Sequence, residues 1–208
     1  MTLFEVLVVI AVIAVLAAIL LPALARPKRH SGINCVNLLK QTALAFRVWE
    51  GDNGDKYPMD VSVTKGGAME FAATGDAAGI FRAMSNELST PKILICTADT
   101  EHQAANNFSS GFSDANISYF IGLDAKENNP QNLLIGDDNL AVGGTPVKPG
   151  ILNLATNVPV TWTAARHKYH GNVALTDGSV QQTTSAGLTT AVVSSATTNQ
   201  PVVRLVIP

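Results

Sequence analysis

The chain has 208 residues, 14% of them charged, a formal net charge of −2 and two cysteines. Soluble proteins average about 25% charged residues, so this surface is poor in charge and offers no basic patch of the kind that binds nucleic acid. The composition gives no reason to expect nucleic acid or membrane headgroups as partners of the head. One long helix of about 50 residues would leave roughly 150, which suits a single globular domain.

The first predicted element is an apolar helix at the N-terminus. Residues 6–25 contain no charged side chain and one proline, Pro22. A helix of that length spans about 30 Å, the thickness of a bilayer's hydrocarbon core. A cleaved signal peptide carries basic residues before its apolar run, whereas Arg26, Lys28 and Arg29 follow it here. We therefore predict a retained membrane helix, kinked at Pro22 because proline lacks the backbone donor.

Glu5 is the single charged residue among the first 25. A carboxylate in an apolar environment is costly unless a cation accompanies it. The nearest cation in the sequence is the α-amino group of Met1, either in the same chain or in a neighbouring copy. Pairing with a neighbouring copy would direct side-by-side assembly of identical helices.

A second, amphipathic segment is predicted to continue the helix to about residue 51. Its apolar residues fall on one stripe at helical spacing, opposite a polar face. The stripe comprises Cys35, Leu38, Leu39, Thr42, Ala45, Phe46 and Trp49. We predict three parts: 1–25 as a transmembrane or filament-core helix, 26–52 as its amphipathic continuation packed on the head, and 53–208 as a globular head.

The head is predicted to contain a helix over 77–88 and then short strands separated by turn residues, which favours an antiparallel sheet. The predicted strands are 93–96, 117–121, 133–135, 159–162, 172–176, 180–183 and 202–207. Asp177-Gly178 predicts a hairpin with a type I′ turn, which has positive φ at both positions. The Ser/Thr-rich stretch 183–198 is predicted to be an exposed loop or a short helix, and surface glycans on it are the alternative. The fold class is α+β: a long N-terminal helix, kinked at Pro22, packed on a head with an antiparallel sheet.

The two cysteines are predicted to form a disulfide. Cys35 lies on the stripe that faces the head, and Cys96 ends an apolar run. An even number of cysteines in a head outside the inner membrane is compatible with a disulfide. We expect the bond to attach the head to the helix, and two buried free thiols are the alternative.

The N-terminal stretch Thr2-Leu3-Phe4-Glu5-Val6-Leu7-Val8-Val9-Ile10, followed by Pro22, resembles the signature of type IV pilins and type II secretion pseudopilins. In that family a leader is cleaved and the new N-terminal residue, usually phenylalanine, is methylated; this chain has Met1 there. The resemblance implies a lollipop-shaped subunit that starts in the inner membrane and assembles with identical copies into an extracellular filament. Its partners would be a prepilin peptidase and the assembly machinery, and its assembly residues Met1, Glu5 and Pro22.

Three further patches extend the resemblance to prepilin-type proteins that carry a His-x(9)-Asp-Gly domain. They are Cys35-Val36-Asn37-Leu38-Leu39-Lys40-Gln41, Ile95-Cys96, and His167 with Asp177-Gly178 after nine intervening residues. The common family form has proline after the second cysteine, where this chain has Thr97. The motif itself implies no chemical role.

The acids and histidines of the head could be combined into a transition-metal site. The residues concerned are His167, His170, Asp137, Asp138 and Asp177. Residues three apart on a strand point to opposite faces, and the spacing fixes no third ligand, so we expect no such site and no cofactor. We expect instead that His167 or Arg166 hydrogen-bonds the hairpin turn or loop carbonyls. Calcium at Asp137 and Asp138 stays open as an alternative because their oxygens suit that ion.

The sequence contains no hydrolase nucleophile motif, phosphate-binding loop or cysteine nucleophile with a neighbouring base, so we expect no enzymatic activity. The predicted function is that of a structural subunit of a type IV pilus-like filament. The alternatives are a pseudopilin of a type II secretion system and, in a different class, a membrane-tethered periplasmic binding domain. Glu5 favours the filament, because a tether has no use for that carboxylate.

Overall fold

The computed structural model describes residues 3–24, 31–197 and 201–208, with side chains for 4–17, 32–197 and 201–208. The chain divides into two compact units, Met1–His30 and Ser31–Pro208. Within the described residues, the first unit consists of one helix. The second unit combines helices with antiparallel strands, and it contains the predicted head together with the predicted amphipathic helix.

Helix α1 covers Leu3–Leu24. Its apolar side chains are exposed on every side, with exposed fractions of 74% at Phe4, 58% at Leu7 and 60% at Ile13. A helix that is apolar all round requires an apolar environment. The helix assignment includes position 22, so the kink predicted at Pro22 is not shown and stays a prediction.

Among the residues that the structure describes, no helix combines the length and apolar character needed to cross a membrane. The predicted membrane segment 6–25 runs into residues 18–25, whose side chains lie outside the described part. Residues 25–30 are also outside it, so the predicted continuity of one helix from 2 to 51 is not tested there.

Helix α2 covers Ser31–Asp52 and belongs to the second unit. Its predicted stripe is confirmed: six members are buried and one is half-buried, namely Cys35, Leu39, Thr42, Ala45, Phe46 and Trp49, with Leu38 half-buried. The opposite face, with Asn34, Asn37 and Gln41, is exposed. The helix ends where Gly54 and Asp55 adopt left-handed φ values of 69° and 58°, as the turn residues there predict.

Short helices follow α2. They are the 3-10 turns Pro58–Asp60, Val63–Lys65, Pro91–Leu94 and Asp114–Asn116 and the α-helices α3 (Met69–Thr74), α4 (Ala77–Ala83) and α5 (Ser85–Leu88). The single helix predicted over 77–88 is wrong in one respect, because Met84, with φ −105° and ψ 19°, separates α4 from α5. The predicted apolar face is nevertheless buried at Ile80, Phe81, Met84 and Leu88.

Nine strands of the described residues form two antiparallel sheets. The strands are β1 (Tyr119–Gly122), β2 (Leu133–Asp137), β3 (Leu140–Val142), β4 (Thr145–Pro146), β5 (Gly150–Ala155), β6 (Val160–Trp162), β7 (His170–Leu175), β8 (Val180–Thr184) and β9 (Val202–Ile207). The larger sheet has the order β5-β9-β1-β2-β7-β8 and the smaller one β4-β3-β6. The predicted α+β class with an antiparallel sheet is therefore confirmed.

One predicted strand is wrong, and strands β3, β4 and β5 are missing from the prediction. Residues 93–96 do not form a strand, because Pro91 begins a 3-10 turn whose N-cap, Thr90, accepts a hydrogen bond from the Lys92 amide. Strand β5 is missing from the prediction because its residues are not strictly alternating apolar and polar. Pairing with β9 from Gly150 to Ala155 orders it instead.

The central strands β1 and β2 of the larger sheet are buried on both faces. On one face, Ile121 belongs to a core shared with Phe46 of α2 and Phe81 of α4. On the other, its neighbour Phe120 packs in a core with Trp162 of β6 and Leu188, since successive strand residues point to opposite faces. Leu188 belongs to α6 (Ser185–Ser195), which confirms the short-helix reading of the Ser/Thr-rich stretch.

Candidate functional site

A disulfide joins α2 to the segment that follows the 3-10 turn Pro91–Leu94. Cys35 and Cys96 are 61 positions apart in the sequence, their Cα atoms are 5.0 Å apart, and both side chains are fully buried. This is the predicted pairing. Ser118 Oγ accepts a hydrogen bond from the Cys96 amide at 3.1 Å, so β1 and the cysteine segment are held together beside the bond.

His167 lies against this disulfide. Its Nε2 atom is 3.2 Å from Cys96 Sγ, 3.4 Å from Asn172 Nδ2 and 3.6 Å from Asp137 Oδ2. Burial lowers the pKa of His167, and the nearby charge of Arg166 acts in the same direction. The loop before β7 directs the His167 ring toward Cys96, so of the two residues expected to contact the turn or loop carbonyls, His167 is not the one that does.

The loop that positions His167 has an unusual backbone. His167, Lys168 and Tyr169 have φ values of 44°, 52° and 64°, all in the left-handed region. Each such residue costs about 1–2 kcal/mol when it is not glycine. Three left-handed residues in succession reverse the chain immediately before β7. The His167 side chain is buried there, while Lys168 and Tyr169 are exposed.

The predicted hairpin exists between β7 and β8, but its turn differs from type I′. Gly178 has φ +83° and its amide donates to the Leu175 carbonyl at 3.0 Å, while the Leu175 amide donates to Ser179 O. This is a type I turn followed by a left-handed glycine, the usual three-residue loop. The neighbouring Thr176 carbonyl accepts from Arg47 Nη1 at 2.6 Å and from the Tyr57 hydroxyl at 3.3 Å.

Arg166, next to His167, is buried with two carboxylates. Its Nη2 atom lies 2.6 Å from Asp99 Oδ2, its Nη1 atom pairs with Asp138 Oδ1, and Nη1 also donates to the Ser118 carbonyl at 2.7 Å. The expectation that Arg166 binds loop carbonyls is confirmed. One guanidinium therefore links the loop at residue 99, the start of β1 and the end of β2.

Asp99 accepts hydrogen bonds from several neighbours. Its Oδ2 atom accepts from Ser118 Oγ at 2.6 Å and lies 2.8 Å from His102 Nδ1. Burial opposes ionisation of Asp99, but the bonds from His102 and Ser118 and the charge of Arg166 outweigh it and hold the pKa well below its usual range. The hydrogen bond to Asp99 raises the pKa of His102. The two groups stabilise each other's charged forms.

The two candidate calcium ligands lie at the buried end of β2 and not in an exposed loop. Asp137 Oδ2 accepts from the amide and the side-chain nitrogen of Asn172 at 2.7 and 2.8 Å, and Asp138 pairs with Arg166. Burial raises the pKa of each carboxyl to about 6. Protein donors occupy Asp137 Oδ2 and Asp138 Oδ1, whereas Asp137 Oδ1 is buried without a hydrogen-bond partner. Calcium here stays an untested prediction.

Among the histidines and acids considered for a transition-metal site, the structure places His167 beside Asp137. His170 is exposed, with Nδ1 3.1 Å from the Lys168 carbonyl. Within the described residues, the group that could hold a metal ion consists of Cys35, Cys96 and His167, whose ligand atoms lie within 4.8 Å of one another. Sequence spacing could not indicate this group, since its members come from three distant segments.

The predicted assembly residues belong to the first unit. Glu5 lies in the first turn of α1, where the helix dipole favours a negative charge. Met1 lies outside the described residues, and so does the side chain of Pro22. Asp177 and Gly178 lie in the β7–β8 hairpin turn, whereas His167 lies against the disulfide.

Sequence reasoning missed Asp99, His102, Asn172 and Arg47 as members of the head's polar network. One signal was available: Asp99 precedes His102 by three residues, and its Oδ1 atom accepts from the Glu101 and His102 amides at 2.8 and 3.2 Å, a local pattern typical of aspartate in turns.

Comparison of the chain with protein-family models, curated proteins and solved structures finds no match.

Proposed function

We propose that the protein is a structural subunit of a type IV pilus-like filament and that copies of α1 form the filament core. The observation that carries the proposal is the apolar surface of α1, exposed on every side from Phe4 to Leu16 with Glu5 in its first turn. Only an apolar environment stabilises such a helix. Identical helices packed side by side supply that environment without any further protein.

Glu5 has a specific role in this proposal. Apolar helices slide past one another with little change in contact energy, so they provide no register by themselves. A carboxylate in the dry core must meet a cation, because leaving a buried charge unpaired is strongly destabilising. We assign that cation to the α-amino group of residue 1 of an adjacent copy, which fixes the axial offset between neighbours.

The head suits a location outside the cytoplasm. Disulfides persist in oxidising compartments, and Cys35–Cys96 cross-links α2 to the rest of the head. We propose that the subunit resides in the inner membrane before assembly and on the cell surface afterwards. A prepilin peptidase and a filament assembly machinery would be its partners.

The test compares Glu5→Gln and Glu5→Ala with wild type in the native host, each expressed with its natural upstream sequence. Glu127→Gln is the matched control, since Glu127 is an exposed acid of the head. We expect both Glu5 variants to lose sheared surface filaments and to keep a normal membrane pool of folded subunit. Glu127→Gln should assemble like wild type.

Three outcomes decide between the proposal and its alternatives. Normal filament yield from both Glu5 variants would falsify the register role, and absence of filaments from wild type would favour a tethered periplasmic domain. Wild-type filaments that appear only when a secretion system is overproduced would favour a pseudopilin.

A filament map from the same material also tests Pro22. The helical hydrogen bonds should be interrupted beside it, and an unbroken series of helical hydrogen bonds there would contradict the predicted kink.

A further inference from the structure

A histidine contacts the buried disulfide directly. His167 Nε2 lies 3.2 Å from Cys96 Sγ, and the two sulfur atoms and a His167 ring nitrogen lie within 4.8 Å of one another. Both cysteines are fully buried, and the His167 side chain is 5% exposed. The disulfide needs no imidazole for its own cross-linking role, so the placement of His167 requires another explanation.

The placement of His167 is also costly. It lies in the three-residue left-handed run with Lys168 and Tyr169, at φ +44°, and backbone strain of this kind concentrates at functional sites. Asp137 Oδ2 is 3.6 Å from the same Nε2 atom. This carboxylate is held in place by the amide and the side chain of Asn172. The Asp137 carboxylate beside the imidazole favours a bound cation.

Two cysteine sulfurs and one imidazole nitrogen are the ligand types that zinc prefers. The Cα atoms of Cys35 and Cys96 are 5.0 Å apart, so both sulfur atoms remain in one pocket after reduction. We infer that the reduced chain binds one zinc ion through Cys35 Sγ, Cys96 Sγ and His167 Nε2. Water completes the tetrahedron.

The disulfide and the zinc site are alternative states of the same two sulfur atoms. A dithiol reductant supplies two electrons and two protons, the S–S bond breaks, two thiols form, and the reductant becomes a disulfide. Zinc binding then displaces the two thiol protons. When a disulfide oxidant later removes two electrons from the thiolates, the S–S bond re-forms and the ion is released. The site therefore holds zinc before oxidative maturation and a cross-link after it.

The test uses Co²⁺, whose thiolate complexes absorb in the near ultraviolet. The full chain in detergent is reduced with a phosphine, freed of reductant without oxygen, and titrated. We expect one Co²⁺ per reduced chain, displaced by Zn²⁺, and no thiolate absorbance from the oxidised chain. His167→Gln should weaken binding by at least about tenfold, the lower end of what outer-shell changes cost. His170→Gln is the matched control, because His170 is exposed at the start of β7, three residues after His167, and it should bind like wild type.

Circular dichroism and urea unfolding accompany each titration, since reduction removes a cross-link. A rise in the urea midpoint of the reduced wild type with Zn²⁺, absent in His167→Gln, supports the proposal. A folded reduced chain without cobalt–thiolate absorbance overturns it. Equal Co²⁺ affinity of wild type and His167→Gln also overturns it, whether or not the reduced chain stays folded, because two thiols alone would then account for the ion.

Discussion

Arg47 Nη1, on α2, donates a 2.6 Å hydrogen bond to the carbonyl oxygen of Thr176, the residue before the Asp177-Gly178 turn. This contact ties the β7–β8 hairpin to the helix. The Tyr57 hydroxyl donates to the same oxygen at 3.3 Å. The carbonyl is buried, and its two donors come from segments more than one hundred residues earlier in the chain.

Removing these donors should destabilise the head. Arg47→Met should lower the free energy of unfolding by about 1.5–3 kcal/mol, the range for a hydrogen bond with a charged partner. Tyr57→Phe should cost less, and the double variant should cost at least about 0.5 kcal/mol more than the sum, because only then is the carbonyl left without either donor. Urea unfolding measures all three, with Lys40→Met, an exposed position on α2, as the control. Strict additivity would contradict the shared-acceptor geometry.

Arg166→Met should be among the most destabilising changes in the head. It leaves Asp99 and Asp138 buried without their shared guanidinium, and breaking a buried ion pair from one side costs about 3–5 kcal/mol. Arg204→Met is the matched comparison, because Arg204 pairs with Asp124 at the surface, 50% exposed, and exposed pairs contribute about 1 kcal/mol or less. Similar urea midpoints for the two variants would show that the buried cluster is not a stabilising cross-link.

His102 should make stability depend on pH. Its pKa is raised in the folded state, first by the hydrogen bond to Asp99. The stabilisation is therefore fully present below the unfolded pKa of about 6.5 and is lost as pH rises through the folded pKa. His102→Gln should consequently cost more stability at pH 5.5 than at pH 9. In an Asp99→Asn background this difference should shrink, and its persistence there would assign the effect to another group.

The disulfide should contribute stability through the loop that it closes. Cys35 and Cys96 are 61 positions apart, and the chain-entropy model gives about 4 kcal/mol for a loop of that length. Cys35→Ala/Cys96→Ala should lose about this amount in urea unfolding. Peptide mapping without reductant should recover the two cysteines as one linked pair. Recovery of both as alkylated free thiols from mature protein would contradict the cross-link.

Much of the local structure was predictable from the sequence. The stripe from Cys35 to Trp49, the buried face of residues 80–88, strand β9 and the hairpin around Gly178 all follow from periodicity and turn chemistry, because each depends on neighbours within a few residues. The details that failed depend on competing local signals. Pro91 and its cap Thr90 replaced a predicted strand with a 3-10 turn, and Gly178 alone of the Asp177-Gly178 pair took the left-handed conformation of the turn.

The site was decided by tertiary structure. Cys35 comes from α2, Cys96 from the segment after a 3-10 turn, and His167 from a left-handed loop, and the fold brings their ligand atoms within 4.8 Å. Arg166 likewise meets Asp99 and Asp138 across 67 and 28 positions of sequence, the differences 166 − 99 and 166 − 138. Sequence patterns report which face of an element is apolar, whereas contacts between elements depend on how those faces pack. The apolar helix and the cysteine pair could therefore be predicted from the sequence. The contact of His167 with the disulfide was decided by the packing of distant segments.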